Sequence, residues 1–343
     1  MVINKFKNDK IILSCLLIIC YIFLKKKKKP KISIFLPTYN KQDFIAKSVK
    51  SIQNQTLKDI EIIIINDFSN DNTSQIVKGL SRLDNRIKVF NNDKNHGLLY
   101  SRGMGILNSS GEYIMNMDAD DELESNDSLE YLYNQTQISK ADIINFNILD
   151  KGSNSIIKKC TNYTDIQIQP QLYTGIFGED NIIYDGLVWN KLIKRDIYLK
   201  SFQFFKEEIY NWKWNYFEDD IWSILVNKFA NSKICVDKLV YIYNYNENSL
   251  MHKKLGIIEF ENLLYRHEMY KKIFNSTNDE KYLIAEYYFL LNRLKYQIND
   301  LLLINDNNLK ENINKTFQLF MKNYECSEEQ KNDINNFLKT INK

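Results

Sequence analysis

Four short apolar runs alternate with helix-length amphipathic segments over residues 31–121, and each run ends in polar residues. The runs cover 32–36, 60–65, 87–90 and 113–117. Between them, apolar residues recur at helical spacing: Ile45, Val49 and Ile52, then a stretch through Leu80, then 98–107. Uniformly apolar runs of this length read as strands buried on both faces. Crossover helices between such strands make a parallel sheet. Ligands of such sheets bind at the carboxyl ends of the strands. The polar clusters stand there: Pro37-Thr38-Tyr39-Asn40, Asn66-Asp67, His96-Gly97 and Asp118-Ala119-Asp120-Asp121. The glycine patterns of dinucleotide and P-loop sites are absent, which excludes those two uses of the sheet.

The fourth run ends in three carboxylates, Asp118, Asp120 and Asp121. Like charges gathered at a strand end repel one another and are costly to desolvate, so a cation would offset them. Hard oxygen donors suit Mg²⁺ or Mn²⁺. Asp is also a common turn residue, so the cluster alone leaves a polar turn as the other reading.

With 343 residues, 44% of them hydrophobic, the chain can build one large domain or two small ones. A net charge of +3 makes no demand for a nucleic acid partner. The five cysteines form no CxxC pair, which speaks against a zinc site or a disulfide framework and suits a reducing compartment. Residues 11–24 are almost wholly apolar and lie between Lys5, Lys7, Lys10 and the run Lys25 to Lys29. As a helix they span roughly 21 Å, short of a ~30 Å hydrocarbon core, but flanking lysines snorkel. We expect a short apolar helix serving as a single-pass N-terminal membrane anchor. The heavier lysine count on its C-terminal side favours a cytosolic catalytic part, with a lumenal arrangement as the alternative.

In this order and spacing the clusters resemble glycosyltransferase family 2, which has the GT-A fold. The resemblance covers roughly residues 31–250. It includes Asn66-Asp67-Phe68-Ser69-Asn70-Asp71, Asn95-His96-Gly97 and Ser101-Arg102-Gly103, followed by the Asp-x-Asp cluster. Two positions depart from the family pattern. Phe68 stands where a Gly is usual, and Phe tolerates positive φ poorly. Gly103 stands where an Asn is usual.

The resemblance implies an α/β GT-A (Rossmann-like) fold, a mostly parallel sheet flanked by helices. The expected anchor with its Lys-rich flank occupies 1–30, and the transferase domain 31–254. Within that domain, 31–125 is the nucleotide-sugar half and 126–254 the acceptor half. Residues 255–343, where apolar residues recur at three and four, are a helical C-terminal extension. The implied activity is inverting, metal-dependent transfer of a sugar from a nucleotide-sugar, with UDP favoured by Asp67. The acceptor is a hydroxyl of a glycan, a lipid-linked molecule or a protein.

By the same resemblance Pro37, Thr38, Tyr39, Asn40, Asp67, Arg102 and Asp118 line the donor. Mn²⁺ or Mg²⁺ is held by Asp118, Asp120 and Asp121, with His252 a weaker candidate. Asn215-Tyr216-Phe217-Glu218-Asp219-Asp220 resembles the motif that carries the general base, assigned to Asp219 with Glu218 second. Acidic residues in a first helical turn also favour the macrodipole, so a cap is the plainer reading of one or two of them. On the acceptor side, Leu187-Val188-Trp189-Asn190-Lys191-Leu192 resembles the family's Trp-x-Lys-Leu segment, giving Trp189 and Lys191 as candidates, with a core residue as the plainer reading of Trp189. The aromatic run Tyr210, Trp212, Trp214 and Tyr216 is the candidate acceptor wall. A catalytically silent sugar-nucleotide-binding or scaffold protein of the same fold is the alternative. A nucleotidyltransferase would need a glycine- and lysine-rich loop after the first strand, where Pro37-Thr38-Tyr39-Asn40 stands.

Overall fold

A computed structural model describes residues 29–157, 187–246 without 212 and 217, 256–275, and 290–342 without 292–293, 296–297, 305 and 324–326. Strands β1 (Ile32–Thr38), β2 (Ile60–Asn66), β3 (Ile87–Asn91) and β4 (Tyr113–Asn116) lie parallel in the order β3-β2-β1-β4. Helices α1 (Ile45–Gln53), α2 (Thr73–Leu83) and α3 (Leu98–Asn108) make the crossovers between them. β1 and β2 are buried at every position, as their unbroken apolar runs predict. All four strands end on the same edge, which brings the polar clusters together.

Beyond β4 the sheet changes direction, which corrects the expectation of a mostly parallel sheet. Among the described residues it is a mixed sheet of nine strands. β8 (Lys191–Lys194) inserts antiparallel between β4 and β6 (Ile143–Asp150). β9 (Lys233–Tyr243) runs parallel to β6, and the short β5 (Glu122–Leu123) and β7 (Ser155–Ile157) add antiparallel pairings. An apolar run carries no direction in itself. β8 is only four residues long and leads straight into α5 (Arg195–Phe204), so its direction is set by that connection.

Helices α4 (Ser128–Ser139), α5, α6 (Lys206–Asn211) and α7 (Glu218–Phe229) complete this part. A second apolar core lies in the C-terminal helices α8 (Ile257–Asn275), α9 (Ile298–Leu303), α10 (Asn307–Asn323) and α11 (Glu328–Ile341). It is built from Phe260, Leu263, Phe317, Phe320 and Phe337 among others, and Tyr216 joins it. Farther along α8, Met269 and Ile273 pack into the main core, so one helix serves both. Cys235 in β9 is disulfide-bonded, a bridge that the cysteine spacing, read as suiting a reducing compartment, did not lead us to expect. Residues 11–24, expected to form the membrane anchor, and His252 lie outside the described residues. Among the described residues no helix is long and apolar enough to cross a membrane.

Candidate functional site

The β1 and β2 ends open the site. Pro37 and Thr38 are still buried in the strand, and the Thr38 hydroxyl donates to the Leu36 carbonyl at 3.1 Å. Tyr39 and Asn40 emerge exposed, Asn40 with φ 51°. Phe68 beyond β2 takes φ 63° and is exposed, so the position where a glycine is usual keeps the left-handed backbone with a phenyl ring on it.

Asp67 was expected to receive a base. Its carboxylate instead organises the loop before α3. Oδ1 accepts from Asn92 Nδ2 at 2.7 Å and from the His96 amide at 2.9 Å, and Oδ2 accepts from the Gly97 amide at 2.8 Å. One acceptor position on Oδ2 remains for a ligand N–H. Gly97 has φ 91°, and a Cβ there would fall 2.9 Å from Asn215 Oδ1. That approach lets the segment before α7 supply the first acceptors of α3. Leu98 N donates to Asn215 Oδ1 at 2.9 Å and Leu99 N to the Trp214 carbonyl at 3.0 Å.

Helix α3 therefore touches both halves of the site, and Arg102 on its buried face joins them. Arg102 Nη2 lies 3.2 Å from Asp118 Oδ1, and Nε lies 3.2 Å from Glu218 Oε1. Its Nη1 is buried without a hydrogen-bond partner among the described residues. Gly103, where an Asn is usual, lets α3 sit against α5 and α6: a Cβ would come within 2.9 Å of Ile209 and 3.2 Å of Phe202.

The Asp cluster is clamped from two sides. Ser48 Oγ of α1 reaches the carbonyls of Ala119 at 2.9 Å and Asp121 at 2.6 Å. From the end of β9, Tyr241 donates its hydroxyl to Asp121 Oδ2 at 2.7 Å and accepts from the Asp118 amide at 3.0 Å. Asn244 N donates to Asp121 Oδ1 at 2.9 Å. Asp121 is thus buried with both oxygens engaged by protein. Burial and the neighbouring Asp118 push its pKa well up, and its bonds to Tyr241 and Asn244 give it a structural role.

Asp118 and Asp120 stay partly exposed. Burial raises the Asp118 pKa against the pull of Arg102. Asp120 Oδ2 accepts from Lys41 Nζ at 2.5 Å and Asn246 Nδ2 at 2.9 Å. Sequence reasoning missed Lys41 and Asn246. The one follows Pro37-Thr38-Tyr39-Asn40 directly, and the other stands in the Tyr-Asn-Tyr-Asn repeat that ends β9.

Two carboxylates at the start of α7 face this edge. Burial raises Glu218 to about 8, against Arg102. Burial, with the Asp220 charge beside it, raises Asp219 to about 7. Asp219 Oδ1 accepts from the Asp220 amide at 3.0 Å. Asp220 turns the other way, to Arg266 Nε at 3.0 Å, a fully buried guanidinium on α8.

The acceptor wall does not form as expected from the described residues. Trp214 is buried against Phe205 with ring centroids 6.5 Å apart. Trp189 is nearly buried and stacks on Tyr243 at 5.6 Å. Lys191 lies inside β8 with its ammonium on the Leu187 carbonyl and on Asn190 Oδ1 at 2.8 Å. These side chains build the interior that positions the site, because β8 is a central strand and α3 needs the 213–216 backbone. Trp212 lies outside the described residues.

Residues 33–202 match the family model described as "Glycosyl transferase family 2". The chain is 33% identical over 183 residues to the cholesterol galactosyltransferase of Borreliella burgdorferi, covering 50% of each. It is 43% identical over 97 residues to the GalNAc(5)-diNAcBac-PP-undecaprenol beta-1,3-glucosyltransferase of Campylobacter jejuni, covering 28% of this chain and 31% of that one. It thus spans half or less of the length of these two relatives. Among solved structures, TarS 1-349 of S. aureus in complex with UDP-GlcNAc superposes with a TM-score of 0.61 at 17% identity, over 83% of this chain and 79% of that one. That likeness establishes a GT-A-like fold.

Proposed function

We propose, from the premise that residues 33–202 form a family 2 glycosyltransferase domain, that the chain transfers a sugar from a nucleotide-sugar to an acceptor hydroxyl. One observation carries the reading. Arg102 ties Asp118, at the donor edge, to Glu218, beside a carboxylate raised to about 7. A base near neutrality next to a diphosphate-binding edge is what glycosyl transfer needs.

Tyr39, Asn40 and the free Oδ2 position of Asp67 receive the nucleoside, and UDP is the nucleotide we favour. The acceptor hydroxyl gives its proton to Asp219 at Oδ2, since Oδ1 is occupied by the Asp220 amide. Its oxygen bonds to the anomeric carbon from the face opposite the diphosphate. The bond from that carbon to the diphosphate oxygen breaks, the electron pair leaves with the nucleotide, and the configuration inverts. Glu218 holds Arg102 in place while this happens.

The donor set fits a divalent cation to the extent of two partly exposed carboxylates, Asp120 and Asp118, and Lys41 already stands in for a cation on Asp120. Among the described residues no group of three or more His, Cys, Asp or Glu is gathered to hold a metal. Asp120 and Asp118 would therefore be the residues that hold Mn²⁺ or Mg²⁺. The ion would supply positive charge to the departing diphosphate.

The test is release of free nucleotide from a panel of UDP-, GDP- and dTDP-sugars, with Mn²⁺ or EDTA and with glycan, lipid-linked and protein acceptors. Transfer from one donor is expected. Asp219→Asn is expected to lower turnover by about 10²–10⁴-fold while UDP still binds. Normal transfer by that variant removes Asp219 from the mechanism.

A further inference from the structure

Lys41 lies in the loop between β1 and α1, and its amide is pinned to Thr73 Oγ1 at 2.8 Å. From there its ammonium reaches across the strand ends to Asp120 Oδ2 at 2.5 Å. The pair is partly shielded, with 24% of the Lys41 side chain and 15% of the Asp120 side chain exposed. Asn246 Nδ2 converges on the same oxygen at 2.9 Å. The carboxylate best placed for a divalent cation thus already carries a positive charge, on a side chain long enough to move away.

We propose that Lys41 is a placeholder cation. It neutralises Asp120 while the donor is absent and releases it to a divalent cation when a nucleoside diphosphate arrives to accept the ammonium. This inference rests on the transferase reading and deepens it. A dication set on Asp120 with Lys41 in place would bring three positive charges to one carboxylate. Asp118 is already shared with Arg102 and offsets little of that. A diphosphate carries the missing negative charge, and a lysine ammonium is a ready phosphate contact. Cation and nucleotide then bind with positive coupling, which by linkage is the same in either order of addition. The plainer use of Lys41, fixed relief of repulsion among the aspartates, predicts that this coupling is the same with and without the lysine.

The test reads Mn²⁺ itself, by the electron paramagnetic resonance signal of the free ion, on the full chain without nucleotide. Lys41→Ala and Lys41→Gln are each expected to bind Mn²⁺ about tenfold more tightly than the wild type. The Gln variant keeps the length of the side chain, so a gain shared by both is a charge effect. Added UDP, GDP or dTDP, whichever binds, should tighten Mn²⁺ in the wild type more than in either variant. Unchanged or weaker Mn²⁺ binding by well-folded variants overturns the proposal. So does absence of Mn²⁺ binding by all three proteins. Sugar transfer that persists in EDTA would then show that the transferase reading survives while the placeholder does not.

Discussion

The two carboxylate clusters, Asp118-Ala119-Asp120-Asp121 after β4 and Glu218-Asp219-Asp220 at the start of α7, look alike as strings and divide their labour alike. In each, one member is structural. Asp121 is held by Tyr241 and Asn244, and Asp220 by Arg266. In each, one member meets Arg102: Asp118 on one side, Glu218 on the other. The third member differs. Asp120 faces the Lys41 ammonium, whereas Asp219 is raised to about 7 by burial and by Asp220. In the function proposed above, the first cluster holds a cation and the second takes a proton. Partners from distant parts of the chain make that difference.

The largest expected effects come from removing those partners. Arg266→Met takes the ion pair from buried Asp220 and is expected to cost about 3–5 kcal/mol in urea unfolding. Arg102→Met should cost a similar amount at pH 8, because Asp118 and Glu218 lose one shared cation. Its cost should shrink at pH 5, where Glu218, raised to about 8 by burial, is protonated and depends less on the guanidinium. Equal pH behaviour of the two variants would break the division drawn above.

A smaller effect separates Asp219 from the donor cluster in solution. A base raised to about 7 is protonated below that pH, so kcat/KM should fall about tenfold per unit on the acid side. The stability sign is opposite to that of an ion-paired aspartate. The folded pKa lies above the unfolded one, so the unfolded chain ionises first and stability is lost as pH rises from about 4 to about 7. The melting temperature of Asp219→Asn should therefore gain on the wild type across that window. A flat difference would mean that Asp219 titrates as an ordinary aspartate.

Much of the parallel half was legible because uniform apolar runs and helical spacing are local signals. The same holds for Asp118, Asp120 and Asp219 as the ends of such elements. What was not legible depends on contacts between distant residues. Arg102 and Glu218 are 116 positions apart. Nothing in Trp189, Lys191 or Trp214 as residue types says which way they face, and all three face inward. Strand direction in the second half failed for a related reason, since β8 reads equally well either way until its connection to α5 is known. The Tyr-Asn-Tyr-Asn segment was noticed as a closing motif, but its work as a clamp on Asp120 and Asp121 needed the fold.

The smallest prediction concerns backbone cost, which the donor side carries and the base side does not. Asn40 and Phe68 both take positive φ next to the donor edge, while no described residue of 213–229 does. A left-handed backbone costs an ordinary residue about 1–2 kcal/mol, and Phe is poorly suited to it. An exposed ring recovers little of that by burial. Phe68→Gly removes the strain and adds back part of it through the freer unfolded chain, for a net gain of up to about 1 kcal/mol. Exposed just after β2, the ring is free to stack its aromatic face on a base if the donor binds there. The variant should therefore be more stable and bind nucleotide more weakly. A gain in stability with unchanged affinity would show that the ring does not meet the donor, leaving the strain at Phe68 without a functional counterpart.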